Sequence, residues 1–433
     1  MGPASHQVVI VGGGAGGLEL AAKLGRRFGP SRVMLVDRQT YHIWKPSLHE
    51  VAAGTLDVHR EGLAYAMLAK DSGFTFIPGE VETIEREKRA VHLAAFIEGG
   101  EEILPKRSVF YDTLVLAIGS KANFFGTPGA AEHAIALDST EQAERFRLKL
   151  LRELSETDRQ KPGSPERVLH LAIVGGGATG VELAAELTEA FVDLAYYGLT
   201  HLDPKKDIRI TILEGGPRIL PPLPEKLSAA AHGLLAARGV AVRTSVRVAK
   251  ITQDALYDDK GNRYPADLCV WAAGIEAPAL LSHLGLETNR VNQLVVDASM
   301  RTSDPAVYAF GDCAAAPWEE GKFLPARAQV AHQQASFLVP VLAERIQGKP
   351  VKPRRFEFHD RGSLVSIGTS QGIGSLMGVL SGKKFFVHGT VGRLMYMSLH
   401  LLHHQAFLGT ARTMLLALAR LLMRRGAPRV KLH

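Results

Sequence analysis

The stretch IVGGGATGVELAAEL, from Ile173 to Leu187, nearly duplicates IVGGGAGGLELAAKL, from Ile10 to Leu24. In both, an apolar run leads into clustered glycines and then an Ala- and Leu-rich segment. That order reads as strand, turn and helix. Gly12, Gly14 and Gly17 set a G-x-G-x-x-G spacing in the first copy, and Gly175, Gly177 and Gly180 set it in the second. The first glycine of such a triplet permits a tight turn. The second lets a pyrophosphate approach the backbone, and the third lets the helix pack on the strand. The helix N-terminus then offers unpaired N–H groups and a positive dipole end to the phosphates.

A glycine-rich turn is common by itself, so its companions matter. After the first copy, the apolar run Val33–Val36 ends at Asp37, 20 residues beyond Gly17. After the second, Ile208–Leu213 ends at Glu214, 34 residues beyond Gly180. The polar interval from Tyr196 to Lys206 reads as an insertion before that strand. A carboxylate at this strand end can accept hydrogen bonds from ribose hydroxyls. The halves also share a later strand. YDTLVLAIG, ending at Gly119, corresponds to ADLCVWAAG, ending at Gly274. A fixed order of motifs, repeated at a spacing of roughly 155–163 residues, predicts an α/β chain with two Rossmann-like dinucleotide-binding domains. Two dinucleotides bound together suit hydride transfer between a nicotinamide and a flavin.

The chain has 433 residues, enough for two or three domains, and 46% of them are apolar. Cys269 and Cys313 are its two cysteines. They form neither a disulfide framework nor a metal-ligand cluster, and they suit a reducing compartment. No metal site is expected. Met1 to Gln7 has neither a basic head nor a long apolar core, so no secretory or transit peptide is expected. Charge is uneven. From Gly362 onward there are nine Lys and Arg and no Asp or Glu; against a whole-chain charge of +7, that leaves −2 for everything before.

Within that tail, Val391–Ala406 and Thr410–Met423 are rich in Leu and Met and are separated by Gly409. Neither reaches the ~20 apolar residues of a membrane span. Apolar residues at helical spacing with Arg412, Arg420, Arg424 and Arg425 read instead as helices lying in a membrane interface. The whole segment Val391 to His433 is expected to meet an anionic membrane surface. Its leucines and methionines favour lipid over nucleic acid as the partner of this basic tail. The alternative is a helix pair packed on the protein's own core or on a homodimer partner.

Several segments resemble a known family. VYAFGD, ending at Gly311-Asp312, resembles the returning strand of two-dinucleotide-binding flavoproteins. In that pattern the first copy binds FAD and the inserted second copy binds NAD(P)H. YHIWKPSLHEVA from Tyr41, AIGS from Ala117, NFFGTPG from Asn123 and AQVAHQQ from Ala328 narrow the resemblance. They are similar to segments of the type II NADH dehydrogenases, single-subunit NADH:quinone oxidoreductases that pump no protons. The redox-cysteine pair of disulfide reductases has no counterpart here.

The resemblance implies FAD as a non-covalent cofactor, NADH as the electron donor and a membrane quinone as acceptor. It implies that Asp312 bonds the ribityl or pyrophosphate part of FAD, with an N-cap aspartate as the plainer alternative. Lys45 and Pro46 would line the isoalloxazine, where the lysine charge could stabilise the reduced ring. Glu182 would face the flavin–nicotinamide junction, or merely complement its helix dipole. Glu19 holds the same place in the first copy. Gln329 and Gln333, one helical turn apart, with Ala331 and His332 between them, would form a quinone site. Glu214 predicts NADH over NADPH, because a carboxylate repels a 2′-phosphate.

The expected architecture is an FAD domain of residues 1–125 and 285–345, an NADH domain of residues 126–284, and a C-terminal region, 346–433. That region should open with short strands around Phe356–His359 and Leu364–Gly368. The expected location is peripheral, on the cytoplasmic face of the cell membrane. Competing readings are a sulfide:quinone oxidoreductase relative, a soluble ferredoxin- or rubredoxin-type reductase, and a redox-sensing flavoprotein that binds a partner without turnover.

Overall fold

Each glycine fingerprint sits at the centre of its own parallel sheet. In a computed structural model, residues 6–159, 168–199, 201–319, 321–368, 371–377, 384–423 and 430–431 are described. Val8–Val11 is flanked by Thr113–Leu116 on one side and Val33–Asp37 on the other. Val307–Ala309 and Thr75–Pro78 complete that five-stranded sheet at its edges. Leu169–Val174 is flanked in the same way by Leu268–Trp271 and Ile208–Glu214, with Ala134–Ala136 and Ala241–Thr244 outermost. Four strands of each sheet follow the same order, so the duplication visible in sequence is a duplication of that four-stranded unit; the fifth, outer strand comes last in the chain in the first sheet (Val307–Ala309) and first in the second (Ala134–Ala136). Val8–Val11 and Leu268–Trp271 are buried at every position, as expected of parallel strands covered on both faces.

The second sheet is inserted into the first unit. After Thr113–Leu116 the chain leaves through Lys121–Ala122, and it comes back through Ile275–Glu276. These two short segments pair antiparallel, with Lys121 and Glu276 3.3 Å apart across them. The return ends at Val307–Ala309, beside Thr113–Leu116. Helix Ala328–Ile346 then crosses the first fingerprint helix, Ala15–Phe28. The crossing is close at Gly16, where a Cβ would fall 2.9 Å from the Ala331 carbonyl oxygen.

Beyond this helix the structure departs from the sequence expectation. Phe356–His359 joins no sheet. Its backbone bonds elsewhere: Phe356 N donates to the Ala298 carbonyl, and His359 N donates to Gln333 Oε1. An alternating pattern therefore formed a segment whose partners are a loop and a helix side chain. The following strand, Gly362–Ile367, does form. It starts an antiparallel sheet with Gln371–Met377 and Lys384–His388 that packs against the second fingerprint helix, Ala178–Tyr197.

Two helices follow, Gly389–Leu408 and Thr410–Met423, separated by Gly409 at φ +81°. The first packs inward through Tyr396, His403, His404 and Phe407, while Val391 and Leu402 stay exposed. The second turns Met414, Leu415, Leu418 and Leu422 to solvent, each more than half exposed. No described helix is long and apolar enough to cross a membrane. Arg412 pairs with Asp71, and Lys431 lies 3.4 Å from Glu144 and 3.5 Å from Asp57. Lys383, Arg424, Arg425 and Arg429 lie outside the described residues, as do the side chains of Lys384, Arg393 and Arg420.

Candidate active site

The two glycine turns obey the same steric logic. Gly12 and Gly175 have φ of +103° and +110°, a region closed to most side chains. A Cβ on Gly12 would strike the Ala117 carbonyl, and one on Gly175 would lie 2.7 Å from that of Ala272. At Gly17 and Gly180 a Cβ would collide with the carbonyls of Gly12 and Gly175, so helix and strand touch there. Gly14 and Gly177, between them, have nothing within 4 Å of a built Cβ. The protein closes around the outer glycines and leaves the middle one facing open space. That is the cradle a pyrophosphate needs, and both copies fit a dinucleotide.

The strand-end acids hold these turns. Asp37 accepts from Gly13 N at 2.6 Å and from Gln39 N at 2.8 Å. Glu214 accepts from Gly176 N and Gly216 N, each at 2.6 Å. Burial raises the Asp37 carboxyl above its usual range, partly countered by those two N–H donors. Each carboxylate retains lone pairs for ribose hydroxyls after the backbone bonds are made.

The remaining residues expected at FAD converge on the first cradle. Lys45 Nζ donates to the Ser120 carbonyl at 2.7 Å, one residue beyond Gly119, and lies 3.8 Å from Asp138. Ser120 Oγ donates to Asp312 at 3.0 Å. Pro46 lies in the 3₁₀ turn Lys45–Ser47 that leads into helix Leu48–Ala53. Gly311, at φ +74°, donates its N–H to Gln334 Oε1 at 2.8 Å. Sequence reading missed Gln334. It sits on the buried side of its helix with Val330 and Leu338, so only the three-dimensional packing singles it out from the adjacent Gln333.

Gln329 and Gln333 share a face, as expected, but both amides are engaged. Gln333 exchanges two bonds with the His359 backbone, at 2.9 and 3.0 Å. Gln329 donates to Asp360 and the Gly362 carbonyl, and accepts from Arg361 N. The pair clamps residues 359–362 to the helix. His332 pairs with Glu19, which is fully buried and also bonded to Lys23 and Ser336. Ala331 backs onto Gly311, with its Cβ 3.5 Å from a built Gly311 Cβ.

Glu182, the counterpart of Glu19, is also buried. Its Oε1 accepts from Ser366 N at 3.0 Å, and its Oε2 lies 3.7 Å from His49 Nδ1. Burial pushes the Glu182 carboxyl up to about 8, reinforced by Glu50 and Glu186. Burial pulls His49 down to about 4. At neutral pH both are therefore neutral, and the contact is not an ion pair. Tyr396, from the first tail helix, is buried in the same cluster. His49, Tyr396 and Ser366 carry no local sequence signal, because each meets Glu182 from a distant segment.

Cys269 lies in the strand Leu268–Trp271 of the second sheet and Cys313 in the core around the first, both buried, and burial pushes both thiols up to about 12. Neither is a thiolate at neutral pH, and they form no redox pair. Among the described residues no cluster of three or more His, Cys, Asp and Glu could hold a metal ion.

Twin cradles on nested Rossmann-like sheets define the class: the chain belongs to the pyridine nucleotide-disulphide oxidoreductase family, whose sequence profile matches residues 6–335. Inside that family it groups with the type II NADH:quinone oxidoreductases. It is 40% identical to the Type II NADH:quinone oxidoreductase of Haemophilus influenzae, across 98% of this chain and 99% of that one. It is 28% identical to the enzyme of the same name from Staphylococcus aureus, across 87% and 92%. Its fold is similar to that of NDH2 from Plasmodium falciparum in complex with NADH, with a TM-score of 0.77 and 20% identity over 93% of this chain and 97% of that one.

Proposed function

We propose that the chain oxidises NADH and passes two electrons through FAD to a membrane quinone, without moving protons across the membrane. The overall balance is NADH, a proton and quinone giving NAD⁺ and quinol. The observation that carries this reading is the pair of matched cradles, each closed at its outer glycines and open at its middle one. When bound, FAD supplies a carrier that accepts two electrons from one partner and releases them to another. With its two cysteines buried in different cores, the chain has no thiol relay, so the second partner takes its electrons directly.

The protein's part is to hold and orient. Gly12, Gly14, Gly17, Asp37, Lys45, Pro46, Gly119, Gly311 and Asp312 hold FAD in the first cradle. Gly175, Gly177, Gly180, Glu214 and Gly274 hold NADH in the second. Glu182 holds a proton at neutral pH. Its Oε1 is occupied by Ser366 N, so the proton rests on Oε2, facing His49. We assign the quinone to the region of Gln329, Ala331, His332 and Gln333, where helix Ala328–Ile346 backs the Gly311 turn.

The tail supplies the lipid side of the reaction. Met414, Leu415, Leu418 and Leu422 form an exposed apolar stripe on a segment without acids, which suits insertion into an anionic interface. The chain would then lie peripherally on the cytoplasmic face of the membrane. Stopped-flow mixing tests the reading. NADH should bleach the flavin, and both a quinone and ferricyanide should restore it. A Gln333→Ala variant should keep the first step and the ferricyanide step while losing quinone turnover.

A further inference from the structure

The duplicated halves differ at one pair of equivalent glycines. Gly119 and Gly274 end corresponding strands, and their φ angles are +69° and +68°. A Cβ on Gly119 would meet nothing within 4 Å, whereas one on Gly274 would collide with the edge of the Phe125 ring. The surface left open in the first cradle is covered by an aromatic ring in the second. Phe125 is also one of the few non-glycine residues in the left-handed region, at φ +51°. Such a conformation costs energy and persists only where surrounding structure enforces it.

That enforcement is visible. Phe125 N donates to Asn123 Oδ1 at 2.7 Å, and Asn123 N donates to the Gly274 carbonyl at 3.3 Å. Trp271 Nε1 donates to the carbonyls of Asn123 and Ala273, at 2.9 and 2.7 Å. The Phe124 ring lies 5.5 Å from that of Trp271. The backbone is fixed on both sides, yet Phe125 as a residue remains 65% exposed. A large apolar residue whose ring rests on one glycine, with most of its surface in water, can change rotamer without disturbing a core.

Sheet order says what this ring covers. Ile208–Glu214 and Leu268–Trp271 flank the fingerprint strand on opposite sides. A dinucleotide with its adenosine ribose at Glu214 and its pyrophosphate over Gly177 must extend its other half toward Gly274. We infer that Phe125 is the gate of this cradle: its ring, seated against Gly274, has to swing away for the nicotinamide half of NADH to enter. The contrast with Gly119 follows from the chemistry. A resident cofactor needs no gate, whereas a substrate that arrives and leaves each turnover does. The inference rests on the assignment of NADH to the second cradle.

The test uses flavin-loaded, full-length protein and equilibrium binding of NAD⁺ and AMP by calorimetry, with stopped-flow NADH association alongside. Removing the ring in Phe125→Ala should tighten NAD⁺ at least about threefold and speed NADH association by a similar factor. AMP, which stops at the Glu214 end, should bind unchanged. Phe125→Gly, which accepts the left-handed backbone, should behave like Phe125→Ala, and Phe125→Tyr should restore the original constants. Weaker NAD⁺ binding with unchanged AMP would make the ring a stacking platform and overturn the gate. Weakening of both ligands would make it a structural prop and overturn the gate as well. Unchanged NAD⁺ binding in both small variants would also reject it. Glu214→Ala separates the two levels: if it leaves AMP and NAD⁺ unaffected, the assignment of the cradle itself fails.

Discussion

Gly176 donates its backbone N–H to Glu214 at 2.6 Å, and Gly13 donates to Asp37 at the same distance in the other half. Each acid therefore ties the end of one strand to the glycine turn of its neighbour, and under the proposed assignment it would also meet the ribose. This double duty explains why a carboxylate recurs at both strand ends while the residues around it differ.

Glu214 is accordingly expected to set nucleotide preference. Glu214→Gln keeps an oxygen for one backbone N–H and removes the charge that repels a 2′-phosphate. The interaction between unit charges at a half-buried site is of order 2 kcal/mol, or about thirtyfold. The ratio of kcat/KM for NADH over NADPH should fall by about that factor, mostly through KM. Steady-state kinetics with both nucleotides checks it, and an unchanged ratio would remove Glu214 from the recognition site.

Two glycines of the first fingerprint should fail in different ways. Gly17→Ala places a methyl group on the Gly12 carbonyl and should prevent stable folding, since helix and strand would have to separate. Gly14→Ala meets no protein atom. It should fold to a protein of normal helix content and near-normal melting temperature, but with little bound flavin. Circular dichroism together with flavin absorbance per chain distinguishes the two. Normal flavin content in Gly14→Ala would mean that the pyrophosphate lies elsewhere.

The exposed stripe on the last helix should govern membrane affinity and leave the flavin chemistry alone. Burying one leucine side chain is worth about 1.5 kcal/mol or more. Leu415→Ser with Leu418→Ser should therefore weaken partition onto anionic vesicles by about a hundredfold. Flavin reduction by NADH should be unaffected, because neither side chain touches the cradles. Co-sedimentation with vesicles measures the first and stopped-flow absorbance the second. Undiminished vesicle binding would assign the stripe to another partner.

Much of this was legible in the chain because the repeated device is local. Strand, glycine turn, helix and acid lie within a few dozen residues, and their spacing carries the geometry. The tail helices and their dividing Gly409 were legible for the same reason. Long-range pairings were not. Phe356–His359 has a strand-like alternation, but its partners proved to be Ala298 and Gln333 rather than another strand. Gln334 is indistinguishable from Gln333 in sequence, yet it alone of the two points at Gly311. Glu182 meets Ser366 across 184 residues, and no periodicity encodes that contact.

The buried contact between Glu182 and His49 should leave opposite marks on stability as pH changes. Glu182 titrates near 8 in the fold against an ordinary 4.5, so the folded chain holds this proton more tightly than the unfolded one. Its contribution is fully present below about pH 4.5 and is lost as pH rises toward about 8. His49 behaves in the reverse sense. Its folded value near 4 lies below the ordinary 6.5, so its contribution is present above about pH 6.5 and is lost as pH falls toward about 4. Glu182→Gln retains an oxygen to accept from Ser366 N and cannot ionise. At pH 5 it should melt near the wild-type temperature, and at pH 9 it should melt higher. The gain should be at most a few kcal/mol, since each tenfold change in proton affinity is worth about 1.4 kcal/mol. His49→Gln should flatten the wild-type decline between pH 6.5 and 4 while leaving the alkaline limb intact. Thermal unfolding of the three proteins at pH 4.5, 6, 7.5 and 9 provides the measurement. If Glu182→Gln melted lower than wild type at pH 9, the carboxyl would be ionised and paired in the fold, and its role as a proton holder at neutral pH would have to be abandoned.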